Sequence, residues 1–163
     1  MRRRGPTRGV YTGRVIDGPA FATELARCAE RATVGKSPLA LLSVRIDAFA
    51  EIERDHGGAV ARSMLDEVGR LAAGAFDDAP AIARLGSERV GVLVESDLAD
   101  ARRAADTLRR IVAATPLIDH PAILATVSVG VAPFVVHEGA AALVRASCAA
   151  MEAAARAGGN RVV

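Results

Sequence analysis

Apolar residues follow two different spacings along the chain, which predict strands and helices. The run PLALLSVRI, from Pro38 to Ile46, is apolar almost throughout and too short for a buried helix, so it predicts a central strand. Apolar runs on either side of a Gly-Ser-Glu turn predict a β-hairpin over residues 81–96. Further strands are predicted at 123–136 and, as a short edge strand, at 160–163. Apolar residues at helical spacing predict helices at 17–35, 48–57, 59–76, 98–115 and 141–159.

The order of these elements predicts the fold class. After the leading helix, the order is strand, helices, strand, strand, helix, strand. This order predicts an α+β fold of the ferredoxin-like, split βαβ type, with one antiparallel sheet, helices packed on one face and an extra N-terminal helix. Residues 1–16 are expected to form a basic N-terminal tail, and residues 17–163 a single domain.

Composition and charge limit which cellular compartment and which classes of partner are expected for the protein. The chain has 163 residues, of which 51% are apolar and 25% charged, as in one globular domain with its own core. A formal net charge of +2 is too small to indicate a nucleic-acid partner. The basic N-terminus is followed by no apolar segment, and no window of about 18 apolar residues predicts a membrane span. We therefore expect a cytoplasmic protein with neither a nucleic-acid nor a membrane partner.

The residues that most often bind metals in proteins are not grouped in this sequence. Cys28 and Cys148 are far apart and flanked by alanine, which is typical of small core residues in a reducing compartment. His56, His120 and His137 have no ligand spacing to another histidine or cysteine and are expected at the surface. No metal and no cofactor are expected from these residues.

The stretch RLGSERVGVLV, from Arg84 to Val94, places a carboxylate and a guanidinium side by side at the tip of an apolar hairpin. Together with YTG, PLALLSVRIDAF, TVSVGVA and GGNRVV, it resembles the GGDEF domain, the diguanylate cyclase module that condenses two GTP molecules into cyclic di-GMP. The five segments occur in the family's order and at nearly its spacing, over residues 11–163. The resemblance implies the nucleotidyl-cyclase palm type of the predicted fold.

The resemblance also implies a metal site, in which one carboxylate ends the first strand and another is the third residue of the hairpin turn. The turn acid is retained as Glu88, but the first aspartate of the family's Asp-x-Asp falls on Arg45. Only the second, structural, aspartate remains, as Asp47. At about 4 Å in an effective dielectric near 20, a unit charge pair interacts by about 4 kcal/mol, so a guanidinium here opposes Mg²⁺ binding.

The rest of the turn also departs from the family, since its second glycine and its final glutamate are replaced. The turn positions in this sequence are Gly86, Ser87, Glu88 and Arg89. An arginine inside an apolar strand rarely stays unpaired, so we expect Arg45 to form a salt bridge with Glu88 or Asp47. An anion site at Arg45 is the alternative.

The nucleotide-binding positions implied by the resemblance are altered too. The guanine-recognising asparagine and aspartate of the family fall on Glu53 and Arg62, and an arginine cannot accept a hydrogen bond from guanine. The triphosphate-binding lysine and arginine fall on Ala155 and Gly159. The product-inhibition motif Arg-x-x-Asp falls on DDAP, at residues 77–80.

The combination of an intact apolar pattern and altered polar positions suggests a pseudo-enzyme. The leading hypothesis is a non-catalytic, degenerate GGDEF domain that acts as a regulatory or protein-interaction module in cyclic-dinucleotide signalling, with a protein partner. The alternative is a sensor that binds GTP or another nucleotide without a metal, with arginines replacing the metal's charge. An active diguanylate cyclase is the least favoured of the three.

Overall fold

The computed structural model describes residues 14–119 and 122–163. Most of the predicted basic tail, the YTG segment and His120 lie outside these residues. The strands are β1 (Val15–Ile16), β2 (Ala40–Ile46), β3 (Ala81–Leu85), β4 (Arg89–Val94), β5 (Ile118–Asp119), β6 (Ala122–Ile123), β7 (Val127–Pro133) and β8 (Arg161–Val162). The helices are α1 (Gly18–Gly35), α2 (Phe49–His56), α3 (Gly58–Ala75), α4 (Leu98–Ala114) and α5 (Gly139–Arg156).

The main sheet has the strand order β1-β3-β4-β2-β7-β8. Its four central strands pair antiparallel with β2 and β4 in the middle, which is the predicted ferredoxin-like arrangement. The edge strands β1 and β8 add in parallel to β3 and β7. The sheet is therefore mixed at its edges, and it begins at Val15, two residues before the predicted start of the domain.

Helices cover both faces of this sheet, so the expectation that they pack on one face is wrong. On one face, Leu42 and Val44 of β2 belong to a core with residues of α3 and α4, such as Leu65 and Leu108. On the other face, Leu41 belongs to a second core with residues of α1 and α5. The continuous burial of β2 has this cause, because a strand that is covered on both sides is apolar throughout rather than alternating.

Local signals in the sequence set the ends of the helices. The side chain of Asp17 caps α1 by accepting a hydrogen bond from the backbone N of Ala20 at 2.8 Å, and Pro19 occupies the first turn. Asp97 caps α4 in the same way, through the backbone N of Asp100 at 2.8 Å. Within the described residues, no helix is both long enough and apolar enough to cross a bilayer.

The second half of the sheet differs from the predicted single strand at residues 123–136. Ala122–Ile123 form β6, which pairs with β5 in a separate two-stranded sheet, and β7 begins only at Val127. The short β8 confirms the edge strand predicted at the end of the chain.

Helix α5 lies unusually close to the sheet. A Cβ atom at Gly130 of β7 would lie 2.1 Å from the backbone N of Met151 and 2.1 Å from the backbone O of Ser147. The hydroxyl groups of Ser43 in β2 and Ser147 in α5 are 2.9 Å apart and hydrogen-bonded in the same layer. This close approach, which glycine at position 130 permits, places one face of α5 beside the ends of β2 and β4.

Candidate functional site

An open pocket of about 310 Å³ lies between the hairpin turn, the end of β2 and one face of α5. It contains five of the ten positions that the sequence singled out, namely Arg45 and the four turn residues. The residues that line it are Arg45, Leu85, Gly86, Ser87, Glu88, Arg89, Met151 and Glu152.

The hairpin turn is built as predicted. Leu85 of β3 pairs with Arg89 of β4, and the three residues between them are exposed. Gly86 has φ 68°, a left-handed conformation that glycine adopts without strain. The Glu88 side chain thus stands at an exposed tip, while Arg89 begins the buried strand behind it.

Arg45 and Arg89 are register partners on the neighbouring antiparallel strands β2 and β4. Both side chains are half-buried on the face that α5 covers. Nη1 of Arg89 donates a hydrogen bond to Sγ of Cys148 on α5. The pocket therefore carries two positive charges side by side, at the strand end where the family resemblance implied a carboxylate.

The predicted salt bridge of Arg45 with Glu88 or Asp47 is wrong. No ion pair within 4.0 Å joins Arg45 or Arg89 to a carboxylate of the described residues. Glu88 lies at the exposed turn, and the carboxylate of Asp47 accepts hydrogen bonds from other donors.

Asp47 joins three parts of the sheet. Its carboxylate accepts hydrogen bonds from Oγ1 of Thr126 at 2.6 Å, Oγ of Ser128 at 2.6 Å and the backbone N of Asn160 at 2.8 Å. A Cβ at Gly159, where φ is 71°, would lie 2.7 Å from Oδ2 of Asp47. These contacts support the structural role that the resemblance implied for Asp47, and they explain why glycine occupies position 159.

The two altered guanine-binding positions converge at the junction of α2 and α3. Oε1 of Glu53 and Nη1 of Arg62 lie 3.3 Å and 3.4 Å from the point that a Cβ at Gly58 would occupy. Both side chains are exposed, and no ion pair within 4.0 Å forms between them. Glu53 can accept hydrogen bonds from a ligand here, whereas Arg62 can only donate them.

The altered phosphate-binding positions lie near the end of α5 and offer no charge. Ala155 is half-buried in the last turns of the helix, and Gly159 is buried in the turn before β8. The segment at 77–80, where the inhibitory motif would fall, begins with two exposed aspartates, Asp77 and Asp78, ahead of β3.

The two cysteines differ in their surroundings, which the sequence did not predict. Cys28 is buried in the core between α1 and the sheet, and burial raises the pKa of its thiol to about 12. Cys148 is half-buried at the pocket, where it contacts Arg89 and lies 3.7 Å from Oγ of Ser43. One face of α5 carries Cys148, Glu152 and Ala155, which are spaced three or four residues apart. Met151 lies on the same face.

The donor set of the pocket does not fit a hard divalent cation. Such a cation needs several oxygen ligands and a negative field, whereas this pocket offers the exposed Glu88 and Glu152 above two arginines. In the described ranges 14–119 and 122–163, no group of three or more histidine, cysteine, aspartate or glutamate residues is arranged to hold a metal.

The chain is similar to a known protein family in sequence and to solved structures in fold. The family model described as "Diguanylate cyclase, GGDEF domain" matches residues 18–161. A comparison with curated proteins found no match.

Solved structures share the fold over nearly the whole chain. The active GGEEF domain of a diguanylate cyclase from Vibrio cholerae is 21% identical with a TM-score of 0.84, covering 91% of this chain and 96% of that chain. The GGDEF domain of DgcB from Caulobacter crescentus, in complex with c-di-GMP, is 24% identical with a TM-score of 0.83, covering 100% and 98%.

A third similar structure contains a bound protein. The diguanylate cyclase SiaD from Pseudomonas aeruginosa, in complex with its activator SiaC, is 21% identical with a TM-score of 0.83. The match covers 91% of this chain and 58% of that chain. At these identities the likeness establishes the fold, which agrees with the predicted palm type.

Proposed function

Because the chain belongs to the GGDEF domain family of diguanylate cyclases, we propose that it is a non-catalytic member, which acts as a regulatory or protein-interaction module in cyclic-dinucleotide signalling. The observation that carries the proposal is the pairing of Arg45 with Arg89 across β2 and β4. The family resemblance requires a metal-binding carboxylate at position 45.

Electrostatics at this pair supports the loss of catalysis. Joining a ribose hydroxyl to an α-phosphate uses divalent cations that hold the triphosphate and offset the developing charge. Two positively charged guanidinium groups repel a cation placed between β2 and the turn. Glu88 alone cannot replace the missing partner, because a cation held by one exposed carboxylate keeps most of its water.

The other altered positions support the same proposal. Arg62 cannot accept a hydrogen bond from guanine, and neither Ala155 nor Gly159 can contact a phosphate through a charged side chain. The apolar core is nevertheless fully formed, with Leu42, Leu65 and Leu108 buried in one cluster. A stable fold that lacks the reactive groups is suited to binding and regulation.

A protein is the proposed partner. In the related structure from Pseudomonas aeruginosa, the diguanylate cyclase SiaD is bound to its activator SiaC. A domain that keeps this fold but lacks the catalytic groups can bind such a partner protein, or compete with an active cyclase for it.

A cyclase assay tests the proposal. The purified protein is incubated with GTP and either Mg²⁺ or Mn²⁺, and cyclic di-GMP is measured by mass spectrometry. We expect no product above a control without enzyme. Product that accumulates with the wild type and disappears in Glu88→Gln would contradict the proposal, whereas product that persists unchanged in Glu88→Gln would indicate a contaminating cyclase.

A metal-independent nucleotide sensor is the second candidate. The observation that favours it is the convergence of Glu53 and Arg62 at Gly58, because the carboxylate of Glu53 can still accept hydrogen bonds from the edge of a guanine. Calorimetric titration with GTP and ATP in EDTA tests this candidate. Guanine-selective binding that is lost in Glu53→Ala supports the sensor, and the absence of binding supports the pure interaction module.

A further inference from the structure

We propose that Arg45 and Arg89 form a binding site for a phosphate-type anion that needs no metal. The two residues are direct cross-strand partners, so their Cβ atoms lie about 4.5–5.5 Å apart on the same face of the sheet. Like charges placed directly opposite each other destabilise a sheet. An anion bound between the two guanidinium groups removes that repulsion.

Neither arginine is neutralised by the protein around it. No carboxylate of the described residues lies within 4.0 Å of either guanidinium, whereas Arg84 on the neighbouring strand is paired with Asp66 at 2.9 Å. Asp47, the acid that follows the end of β2, already accepts three hydrogen bonds. The positive charge of the pair is therefore open to a ligand from solution.

The contact with Cys148 fixes the direction of Arg89. Its Nη1 donates to Sγ of Cys148, and Cys148 in turn lies 3.7 Å from Oγ of Ser43 on β2. One donor of the planar guanidinium is used in this way, and its other N–H groups are left for a ligand. A guanidinium matches the spacing of phosphate oxygens and binds them through two parallel hydrogen bonds.

The pocket has room for a phosphate-bearing ligand. Its volume of about 310 Å³ is at the lower end of the range of about 300–1,000 Å³ for small-molecule sites. The exposed carboxylates of Glu88 and Glu152 line the same pocket, and Glu152 is 3.7 Å from Arg156. These carboxylates repel an anion and weaken its binding, so their removal should strengthen it.

This inference rests on the proposed loss of catalysis, because a cation and an anion cannot be favoured at the same position. The shared chemistry of the ligand is a phosphate group with two negative charges. A nucleotide and free inorganic phosphate both carry such a group, and the test distinguishes them.

Calorimetric titration of the full chain with sodium pyrophosphate, in EDTA at low ionic strength, tests the site. We expect saturable binding of one pyrophosphate, weakened by about tenfold or more in Arg45→Gln and in Arg89→Gln. Glu88→Gln should bind several-fold more tightly. The matched control is Arg84→Gln, which lies on the opposite face of the sheet and should bind as the wild type does.

A thermal-shift measurement guards against misfolded variants. Pyrophosphate should raise the Tm of the wild type and leave the Tm of Arg45→Gln unchanged. Without pyrophosphate, Arg45→Gln should unfold at the same temperature as the wild type or higher, since the substitution removes a repulsion between like charges.

Parallel titrations with GTP, guanosine and inorganic phosphate identify the source of the phosphate group. Tighter binding of GTP than of pyrophosphate assigns a nucleotide, and equal binding of all phosphate compounds assigns the phosphate group alone. Pyrophosphate that fails to bind in EDTA, or that binds Arg45→Gln and the wild type equally, overturns the inference. Production of cyclic di-GMP with Mg²⁺ contradicts the proposed function instead, so the two failures are separable.

Discussion

Among the glycines of the described residues, Gly130 is the one at which an added Cβ atom would lie closest to other atoms. In Gly130→Ala, the new Cβ would lie 2.1 Å from two backbone atoms of α5, which cannot move without displacing the whole helix. Overpacking of a core costs about 1–3 kcal/mol, and a clash with backbone is at the upper end of that range. We expect Gly130→Ala to lower the free energy of unfolding by about 3 kcal/mol, measured by urea denaturation.

The matched control is Gly74→Ala in α3, where nothing lies within 4 Å of the new Cβ. Alanine is the better helix former, so this variant should be more stable than the wild type by up to about 1 kcal/mol. Equal stability of Gly130→Ala and the wild type would show that α5 does not approach β7 as closely as described.

At the candidate site, the sequence identified the altered positions but not their contacts. The pocket does contain Arg45, Glu88 and Arg89, because the strand register and the hairpin turn that place them follow from apolar patterning. The predicted partner of Arg45 was wrong, since the choice between Asp47 and Glu88 depends on distances that no pattern encodes. Cys148 was missed for the same reason: its contact with Arg89 joins residues 59 positions apart.

At the scale of elements, Asp47 connects the end of β2, the start of β7 and the turn before β8. Asp47→Ala leaves three donors without their acceptor. Hydrogen bonds to charged groups contribute about 1.5–3 kcal/mol each, and water replaces part of the loss at the exposed Asn160. We expect Asp47→Ala to lower the free energy of unfolding by about 3 kcal/mol in urea denaturation.

Asp55→Ala is the control for this substitution, because Asp55 is exposed on α2, where it is paired with its neighbour Arg54. Removal of an exposed charge should change stability by no more than about 0.5 kcal/mol. Equal effects of the two variants would argue against a connecting role for Asp47.

Element types and order were predictable because each central element has a strong period or cap. Asp17 and Asp97 fixed the starts of α1 and α4, and the continuous apolar run of β2 fixed the central strand. The coverage of both sheet faces by helices was not predicted, although the sequence of β2 indicates it. A strand with one face in water would alternate between apolar and polar residues, whereas β2 is apolar almost throughout. The split of residues 123–136 into β6 and β7 depends on pairing with Ile118–Asp119, which local sequence does not specify.

At the scale of the whole molecule, one sheet separates two apolar cores. Alternate residues of β2 enter each core, with Leu42 in the core of α3 and α4 and Leu41 in the core of α1 and α5. Loss of either core exposes one face of the central strand. Residues 17–163 are therefore predicted to unfold as one cooperative unit, which includes the extra N-terminal helix.

Alkylation of Cys28 in a Cys148→Ser background tests this cooperativity. Cys28 is 1% exposed on the side of α1 that faces the core, so it should react only when that core opens. Its labelling should follow the same urea midpoint as far-UV circular dichroism. The control places a thiol on the exposed side of the same helix, through Val34→Cys in a Cys28→Ala, Cys148→Ser chain. Val34 is 81% exposed, so the new thiol should react at a rate independent of urea.

The pH dependence of the free energy of unfolding is a second test of whether the core around Cys28 opens together with the rest of the domain. Burial raises the pKa of the Cys28 thiol from 9.0 to about 12, so above pH 9 the unfolded chain loses a proton that the folded chain keeps. The Cys28 contribution to stability should therefore fall as pH rises from about 9 towards 12, and Cys28→Ala should show a shallower loss over that range. Cys28 could instead become labelled at a lower urea concentration than the midpoint seen by circular dichroism, while alkaline pH promotes the opening of α1 alone. That result would mean that α1 unfolds separately and that the chain is not a single cooperative domain.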